Sequence, residues 1–324
     1  MRYFDVPGVT TPAAVVCLGV SEFGTRFDEA ASFALLDRFA EHGGNFYDSA
    51  HVYADWVPGG AGASERTLGN WLRSRGVRSR SVVATKGGHP RLETMGVSRL
   101  RPEDLARDIE ESLARLRTDA IDLYYVHRDD PAIPVGEIMD ALEQERGRGR
   151  LRAVGASNWT TPRLQAAADY TAAKGTPSFV ASQIAWSLAR TNGASDTVGA
   201  GHAVAMDDAG YAYYARHAVP VIPYTSQAGG FFAHPYDEGE RRYAAYHGAA
   251  NGRSWNRVQE LAEVVGISPN CVALAYLLND PVCGAVVVGA HTPEQIRDSC
   301  QASGVVLDPA RRVFLEGRDD ASGN

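Results

Sequence analysis

At 324 residues, 44% apolar and 22% charged, the chain has the profile of an ordinary globular protein, and its length suits two average domains or one large α/β barrel. A formal net charge of −7 without a Lys/Arg-rich block gives no electrostatic case for nucleic acid or anionic membrane as partner. No stretch approaches the roughly 20 apolar residues that cross a bilayer, the start Met1-Arg2-Tyr3-Phe4-Asp5 lacks the apolar core of a secretory signal, and Cys17, Cys271, Cys283 and Cys300 show neither CxxC nor zinc spacing, so a metal-free cytoplasmic protein is expected.

Along the chain, short apolar runs alternate with longer amphipathic segments. A β-rich run over 14–20 precedes a helix over 28–42, in which Phe33, Leu36, Phe39 and Ala40 recur at helical spacing. A strand over 45–50 leads to a helix over 64–75 with Leu68, Trp71 and Leu72 on one face. The third strand spans 81–86, and Pro102 opens a long helix marked by Leu105, Ile109, Leu113 and Leu116. Strand 121–127 is followed by helix 135–146, and strand 151–157 by helix 162–174. Runs over 179–184, 219–224 and 285–288 supply three more strands, with helical patterns near 208–216, 254–265, 268–278 and 293–300.

Eight strand–helix units in strict alternation imply parallel strands joined by helical crossovers. An open doubly wound sheet and a closed barrel both satisfy that pattern. The count of eight, and the lack of any linker, favour a (β/α)8 TIM barrel spanning 1–324 as one domain. Neither GxGxxG after the first strand nor GxxxxGK[ST] occurs anywhere. Two irregular stretches, 190–207 and 229–252, follow strands and are expected to form substrate or cofactor loops.

In a barrel the strand C-termini converge on one mouth, so polar residues far apart in sequence meet there. Asp48 closes the second strand with Tyr53 just beyond it, Lys86 closes the third, and His127 closes the fourth. Each alone has a plain structural reading as a cap, an ion pair or a buried histidine, but four at consecutive strand ends suggest a proton-donating device. A tyrosine with its ordinary pKa of about 10 is a poor acid at neutral pH. A neighbouring ammonium stabilises its phenolate, so Lys86, held by Asp48, is expected to lower the pKa of Tyr53. His127 would position a carbonyl oxygen, and Tyr53 would protonate it as hydride reaches the carbon.

These residues lie in segments that resemble the aldo-keto reductase family along nearly the whole chain. Asn45-Phe46-Tyr47-Asp48-Ser49-Ala50, Tyr53 and Ser64-Glu65-Arg66-Thr67-Leu68-Gly69 are similar to the strongest family motif, with an insertion over 56–63. Ala84-Thr85-Lys86 and Asp122-Leu123-Tyr124-Tyr125-Val126-His127 resemble the lysine and histidine strands, which places all four residues on the family's catalytic tetrad. The resemblance further implies a nicotinamide carboxamide site at Ser157, Asn158 and Gln183, and stacking on Tyr224. It implies pyrophosphate contacts along Thr225, Ser226, Gln227 and Gly229, and an adenosine phosphate site at Gly289, His291, Thr292, Gln295, Asp298 and Ser299. A helix start suits such an anion because free N–H groups and the helix dipole point at it. NADPH is the implied cofactor, with NADH possible because His291 stands where a basic residue is common and Thr225-Ser226 replaces the usual Ser-Pro.

Phe23, Trp56 and Trp186 follow or close strands at the same mouth and are the expected substrate-lining aromatics. With His89 and Arg128-Asp129-Asp130 beside them, they suggest a hydroxylated, sugar-like aldehyde or ketone. Two other functions compete with reduction to an alcohol. A cofactor-binding regulatory subunit of the same fold could retain the tetrad with little turnover. A metal-dependent barrel hydrolase is disfavoured by the lack of HxH on the first strand and of carboxylates at ligand spacing.

Overall fold

A computed structural model describes residues 1–192 and 203–317. The chain opens with an antiparallel hairpin, β1 (Tyr3–Phe4) and β2 (Ala13–Ala14), which the apolar pattern did not anticipate. Its turn contains Pro7-Gly8; Gly8 has φ +87°, and a Cβ there would meet the Arg152 carbonyl oxygen at 2.8 Å. The hairpin therefore closes tightly over the barrel floor, at the N-terminal ends of the strands.

The alternation then proceeds through β3 (Val16–Gly19), α1 (Glu29–Glu41), β4 (Phe46–Asp48), α2 (Ala63–Arg75), β5 (Val82–Gly87) and α3 (Pro102–Leu116). It continues through β6 (Ile121–Val126), α4 (Val135–Gly147), β7 (Leu151–Ser157), α5 (Thr161–Lys174), β8 (Ser182–Gln183) and α6 (Asp208–His217). The last elements are α7 (Ala249–Val265), α8 (Pro269–Leu278), β9 (Val286–Val288), α9 (Pro293–Gln301) and α10 (Pro309–Glu316). Helix α7 starts five residues ahead of the expected 254, because Asn251 and Gly252, which read as loop, occupy its first turn. Helix α10 was not anticipated, although Asp308-Pro309 marks its start and the Asp308 carboxylate accepts from Arg311 N. Of the expected loop 190–207, residues 193–202 lie outside the described residues.

Across the sheet the order is β8-β7-β6-β5-β4-β3-β9, with every neighbouring pair parallel. The strand expected over 219–224 is not regular, because Pro220 and Pro223 have no N–H to give to a ladder. It is nevertheless held on both sides. Toward β8, Ile222 N donates to Ser182 O at 2.8 Å and Tyr224 N to Ile184 O at 3.1 Å. Toward β9, Val221 N donates to Val282 O at 2.9 Å and Val287 N to Pro223 O at 3.0 Å. This eighth stave closes the expected (β/α)8 barrel.

Two apolar clusters result. One lies between strands and helices; the other fills the barrel with Cys17, Phe46, Ala84, Leu123, Tyr125 and their neighbours, with Phe4 and Val6 of the hairpin region packed below. Tyr125 fits inside because its cross-strand partner is Gly155, where a Cβ would come within 2.6 Å of the Tyr125 ring. Among the described residues no single helix is long and apolar enough to cross a membrane.

Candidate active site

Beyond Asp48 the chain keeps following β5. Ser49 N donates to Ala84 O at 2.9 Å and His51 N to Lys86 O at 2.8 Å. Successive turns then fold the loop over itself: Tyr53 N to Ala50 O, Val57 N to Ala54 O, and Gly60 N to Val57 O. These turns give the 56–63 insertion an ordered path and bring the Tyr53 side chain back over the strand ends. Beneath it, the Ser64-Glu65 pair is completely buried and pins the loop to the barrel. Ser64 Oγ donates to Val20 O at 2.8 Å, and the Glu65 carboxylate accepts from Thr85 Oγ1 at 2.6 Å and Arg115 Nη1 at 3.2 Å. Arg115 also reaches His51 O at 3.3 Å, and His51 Nε2 lies 2.8 Å from Glu111 Oε2. None of this support was legible beforehand except as the i,i+4 spacing of Glu111 and Arg115 on α3.

Lys86 is the hub. Only 1% exposed, its ammonium spends all three protons: on Asp48 Oδ2 at 2.6 Å, Ser49 O at 2.9 Å and Tyr53 Oη at 2.9 Å. Burial works against its charge, but Asp48 and Tyr53 more than offset this and hold its pKa above the ordinary lysine value. The second Asp48 oxygen accepts from Gln183 Nε2 at 3.0 Å. The His127 ring stands 6.0 Å from that of Tyr53 and 5.0 Å from that of His89, centroid to centroid. Burial, reinforced by Lys86, His89 and Arg128, pushes His127 well below the usual imidazole range, so it is neutral at ordinary pH.

The expected lowering of the Tyr53 pKa is not found. Burial raises it, and this outweighs the opposing pull of Lys86. The direction suits a donor all the same: the phenol stays protonated, and because Oη accepts from Lys86, its own proton is left to give.

The residues expected to hold a cofactor ring the mouth on the far side of β6. Tyr224 Oη donates to Asn158 Oδ1 at 2.7 Å, while Asn158 Nδ2 reaches Ser157 Oγ at 3.2 Å. Thr225 turns the chain with φ +57° and Ser226 Oγ donates to Val287 O at 2.6 Å, which fixes the strand end bearing Tyr224. Gln227 ties two loops together, accepting from Gly289 N at 2.9 Å and donating to Asn270 Oδ1 at 3.2 Å; Asn270 in turn donates to Asp298 at 2.8 Å. Gln227 also donates weakly to Ser299 Oγ at 3.4 Å, and Gly229 lies in the turn over Ala228–Ala233. Thr292 caps α9 by accepting from Gln295 N, and Gln295 Oε1 accepts from His291 N at 2.7 Å. His291 Nε2 is 3.3 Å from Glu22 Oε2, a partner that sequence reading missed. These groups fit an extended dinucleotide: a half-buried phenol ring with its hydroxyl anchored, open space above Gly289, and an exposed helix start.

The three aromatics expected around a substrate divide. Trp56 is 55% exposed and meets Tyr53 edge-on at 6.2 Å. Trp186 is half-buried against Tyr211 and bound through its backbone N–H to Tyr224 O. Phe23, 2% exposed, instead packs in the core against Phe27, because the chain turns inward after β3, and so presents no face to a ligand. Asp129 and Asp130 are likewise taken up, Asp129 by Arg163 at 2.8 and 2.9 Å and Asp130 by Ala132 N at 3.0 Å. A surface cleft of about 230 Å³ opens beside the tetrad, lined by His51, His89, Arg99 and Glu111 among others, and none of the tetrad lines it.

Comparison with known proteins bears on the family and the fold. Residues 15–311 match the profile of the Aldo/keto reductase family. The chain is 30% identical over 323 residues to a norsolorinic acid reductase of Emericella nidulans, covering 93% of this chain and 77% of that one. It is 30% identical over 301 residues to an uncharacterized oxidoreductase of Bacillus subtilis, covering 90% and 88%. An aryl-alcohol dehydrogenase [NADP(+)] of Phanerodontia chrysosporium is 25% identical over 346 residues, covering 95% and 83%. A solved thermostable aldo-keto reductase superposes with TM-score 0.74 at 20% identity, covering 98% of this chain and 99% of that one. The chain belongs to the aldo/keto reductase family. It is a nicotinamide-dependent oxidoreductase that acts on carbonyl groups.

Proposed function

We propose that residues 1–324 act as one barrel domain that reduces an aldehyde or ketone with NADPH, Tyr53 giving the proton. The observation that carries this reading is the Tyr53 hydroxyl, which accepts from Lys86 Nζ at 2.9 Å and so keeps its own proton for a carbonyl oxygen. The cofactor supplies hydride when bound. Ser157, Asn158, Gln183 and Tyr224 would hold its nicotinamide end, Ser226, Gln227 and Gly229 its middle, and the start of α9 with His291 its adenosine phosphate.

As a carbonyl oxygen gains negative charge, neutral His127 donates a hydrogen bond to it and Tyr53 transfers its proton. The ammonium of Lys86 then stabilises the phenolate left behind, and Asp48 balances that ammonium. Trp56 and the half-buried rings of Tyr53 and His127 offer flat faces, which suit an aryl carbonyl. The relatives named for norsolorinic acid and aryl alcohol support that preference. With Asp129 and Asp130 turned away, two of the groups that suggested a sugar-like substrate are spent elsewhere.

The test is to mix the protein with NADPH or NADH and a panel of aryl aldehydes, aliphatic aldehydes and sugars, following loss of nicotinamide absorbance. Turnover favouring aryl carbonyls with NADPH is expected. Tight cofactor binding with negligible turnover across the panel would instead favour a regulatory subunit.

A further inference from the structure

The loop leaving β6 carries a charge that the reaction above does not use. Arg128 directly follows His127 at the mouth. Its neighbours Asp129 and Asp130 would be natural partners, yet Arg163 holds the first in a two-pronged ion pair and the second caps Ala132 N. Among the described residues, the buried Arg128 Nη1 has no hydrogen-bond partner, and neither has His127 Nδ1 beside it. Arg128 is near enough to Tyr224 and His127 for its charge to bear on both. Asn158 links the same region, donating to His127 O at 3.5 Å and accepting from Tyr224.

A guanidinium held this way is short of an acceptor, and the acceptor that matches its fork is a planar carboxylate. Strand order separates it from the site expected for the adenosine phosphate. Stepping from β9 through β3, β4 and β5 to β6 crosses half of the eight staves, so Arg128 and the start of α9 stand on opposite sides of the mouth. The chain as a whole, at −7, does not attract anions, so a cation left unpaired among the described residues at this point is a local device.

We propose that Arg128 is a specificity residue that receives a carboxylate borne by the carbonyl substrate, making acidic aryl aldehydes or ketones the preferred class. This rests on the carbonyl-reduction reading. The substrate would set its carbonyl toward Tyr53 and His127 and its carboxylate toward the Arg128 fork, which desolvation by the surrounding side chains strengthens.

The test compares 4-carboxybenzaldehyde with benzaldehyde, both with NADPH. The wild type should favour the carboxylated aldehyde by at least about tenfold in kcat/KM. Arg128→Met should bring the ratio close to one, and Arg128→Lys should keep part of it. The same ratio in the wild type and both variants would overturn the proposal while leaving carbonyl reduction standing. A weakened NADPH dissociation constant with an unchanged ratio would assign Arg128 to the cofactor and overturn it equally. If neither aldehyde turns over, the reduction reading fails, and calorimetry decides on Arg128 separately. In the presence of NADP+, 4-carboxybenzyl alcohol should bind at least about tenfold more tightly than benzyl alcohol, and only with Arg128 intact. Equal binding of the two alcohols would refute the carboxylate site.

Discussion

Gln183 and Asp48, 135 residues apart, meet across the barrel mouth, the amide Nε2 donating to Oδ1 at 3.0 Å while Lys86 holds Oδ2 at 2.6 Å. The carboxylate that orients the lysine is thus itself gripped from two sides. Gln183→Leu removes one grip and leaves a buried carboxylate oxygen without a donor. A hydrogen bond to a charged group is worth about 1.5–3 kcal/mol, so kcat is expected to fall roughly tenfold or more. Steady-state kinetics at saturating cofactor checks this; an unchanged kcat would show that Lys86 alone positions Asp48.

Tyr53→Phe keeps the ring and its edge-on contact with Trp56 but deletes the proton. Turnover should drop at least about a hundredfold, with cofactor affinity kept, as read by fluorescence titration. Near-normal turnover would remove Tyr53 from the role of donor.

The direction of two pKa displacements sets the pH behaviour. Tyr53 lies above the ordinary phenol value, so in the neutral range it is protonated and ready for reduction. Alcohol oxidation starts from the phenolate, whose share grows about tenfold per pH unit below the pKa. Reduction should therefore be nearly flat from pH 6 to 9, while oxidation climbs throughout. His127, pushed down by burial, should add no acid limb between pH 8 and 6. An oxidation rate already level by pH 8 would contradict the raised Tyr53.

Much of this was open to reading from the chain alone, for physical reasons that also mark where reading stops. Parallel strands buried on both faces appear as uninterrupted apolar runs, so β5, β6 and β7 stand out. Their ends point to one mouth, which made Asp48, Lys86 and His127 legible. The hairpin of β1 and β2 offers two residues per strand, too few for any period, and only Pro7-Gly8 hints at it. An aromatic after a strand looks the same whether the chain turns outward, as at Trp56, or inward, as at Phe23. The sign of the Tyr53 displacement depends on how much desolvation accompanies a known neighbour, and spacing carries no measure of that. Pairings such as Glu22 with His291 belong to the folded state alone.

That last pairing bears on cofactor choice. The Glu22 carboxylate, its Oε2 3.3 Å from His291 Nε2 and its Oε1 3.1 Å from Arg26 Nη1, competes with any phosphate for the imidazole. Glu22→Gln should strengthen the preference for NADPH over NADH by a few-fold, in keeping with the modest worth of exposed ion pairs. His291→Arg should strengthen it further. Dissociation constants for both cofactors test this; tighter NADH binding in the wild type would place the adenosine phosphate elsewhere.

Inside the barrel, Gly155→Ala would put a methyl 2.6 Å from the Tyr125 ring and 3.0 Å from Ala181 O. Overpacking of this kind costs about 1–3 kcal/mol, readable by urea unfolding. Tyr125→Leu in the same chain should recover part of it, and a Gly155→Ala protein as stable as the parent would show that the ring has room to move.

The two prolines of the eighth stave have a consequence for how the barrel breathes. A cylinder of staves is only as tight as its weakest seam, and here the stave that presents Tyr224 has lost one cross-link on each of its two seams. Amides of Val221, Ile222 and Tyr224 should trade hydrogen for deuterium sooner than those of β5 and β6. A ligand lying on Tyr224 would brace that stave, so slower exchange at these three positions would report its arrival directly, without any chemistry taking place.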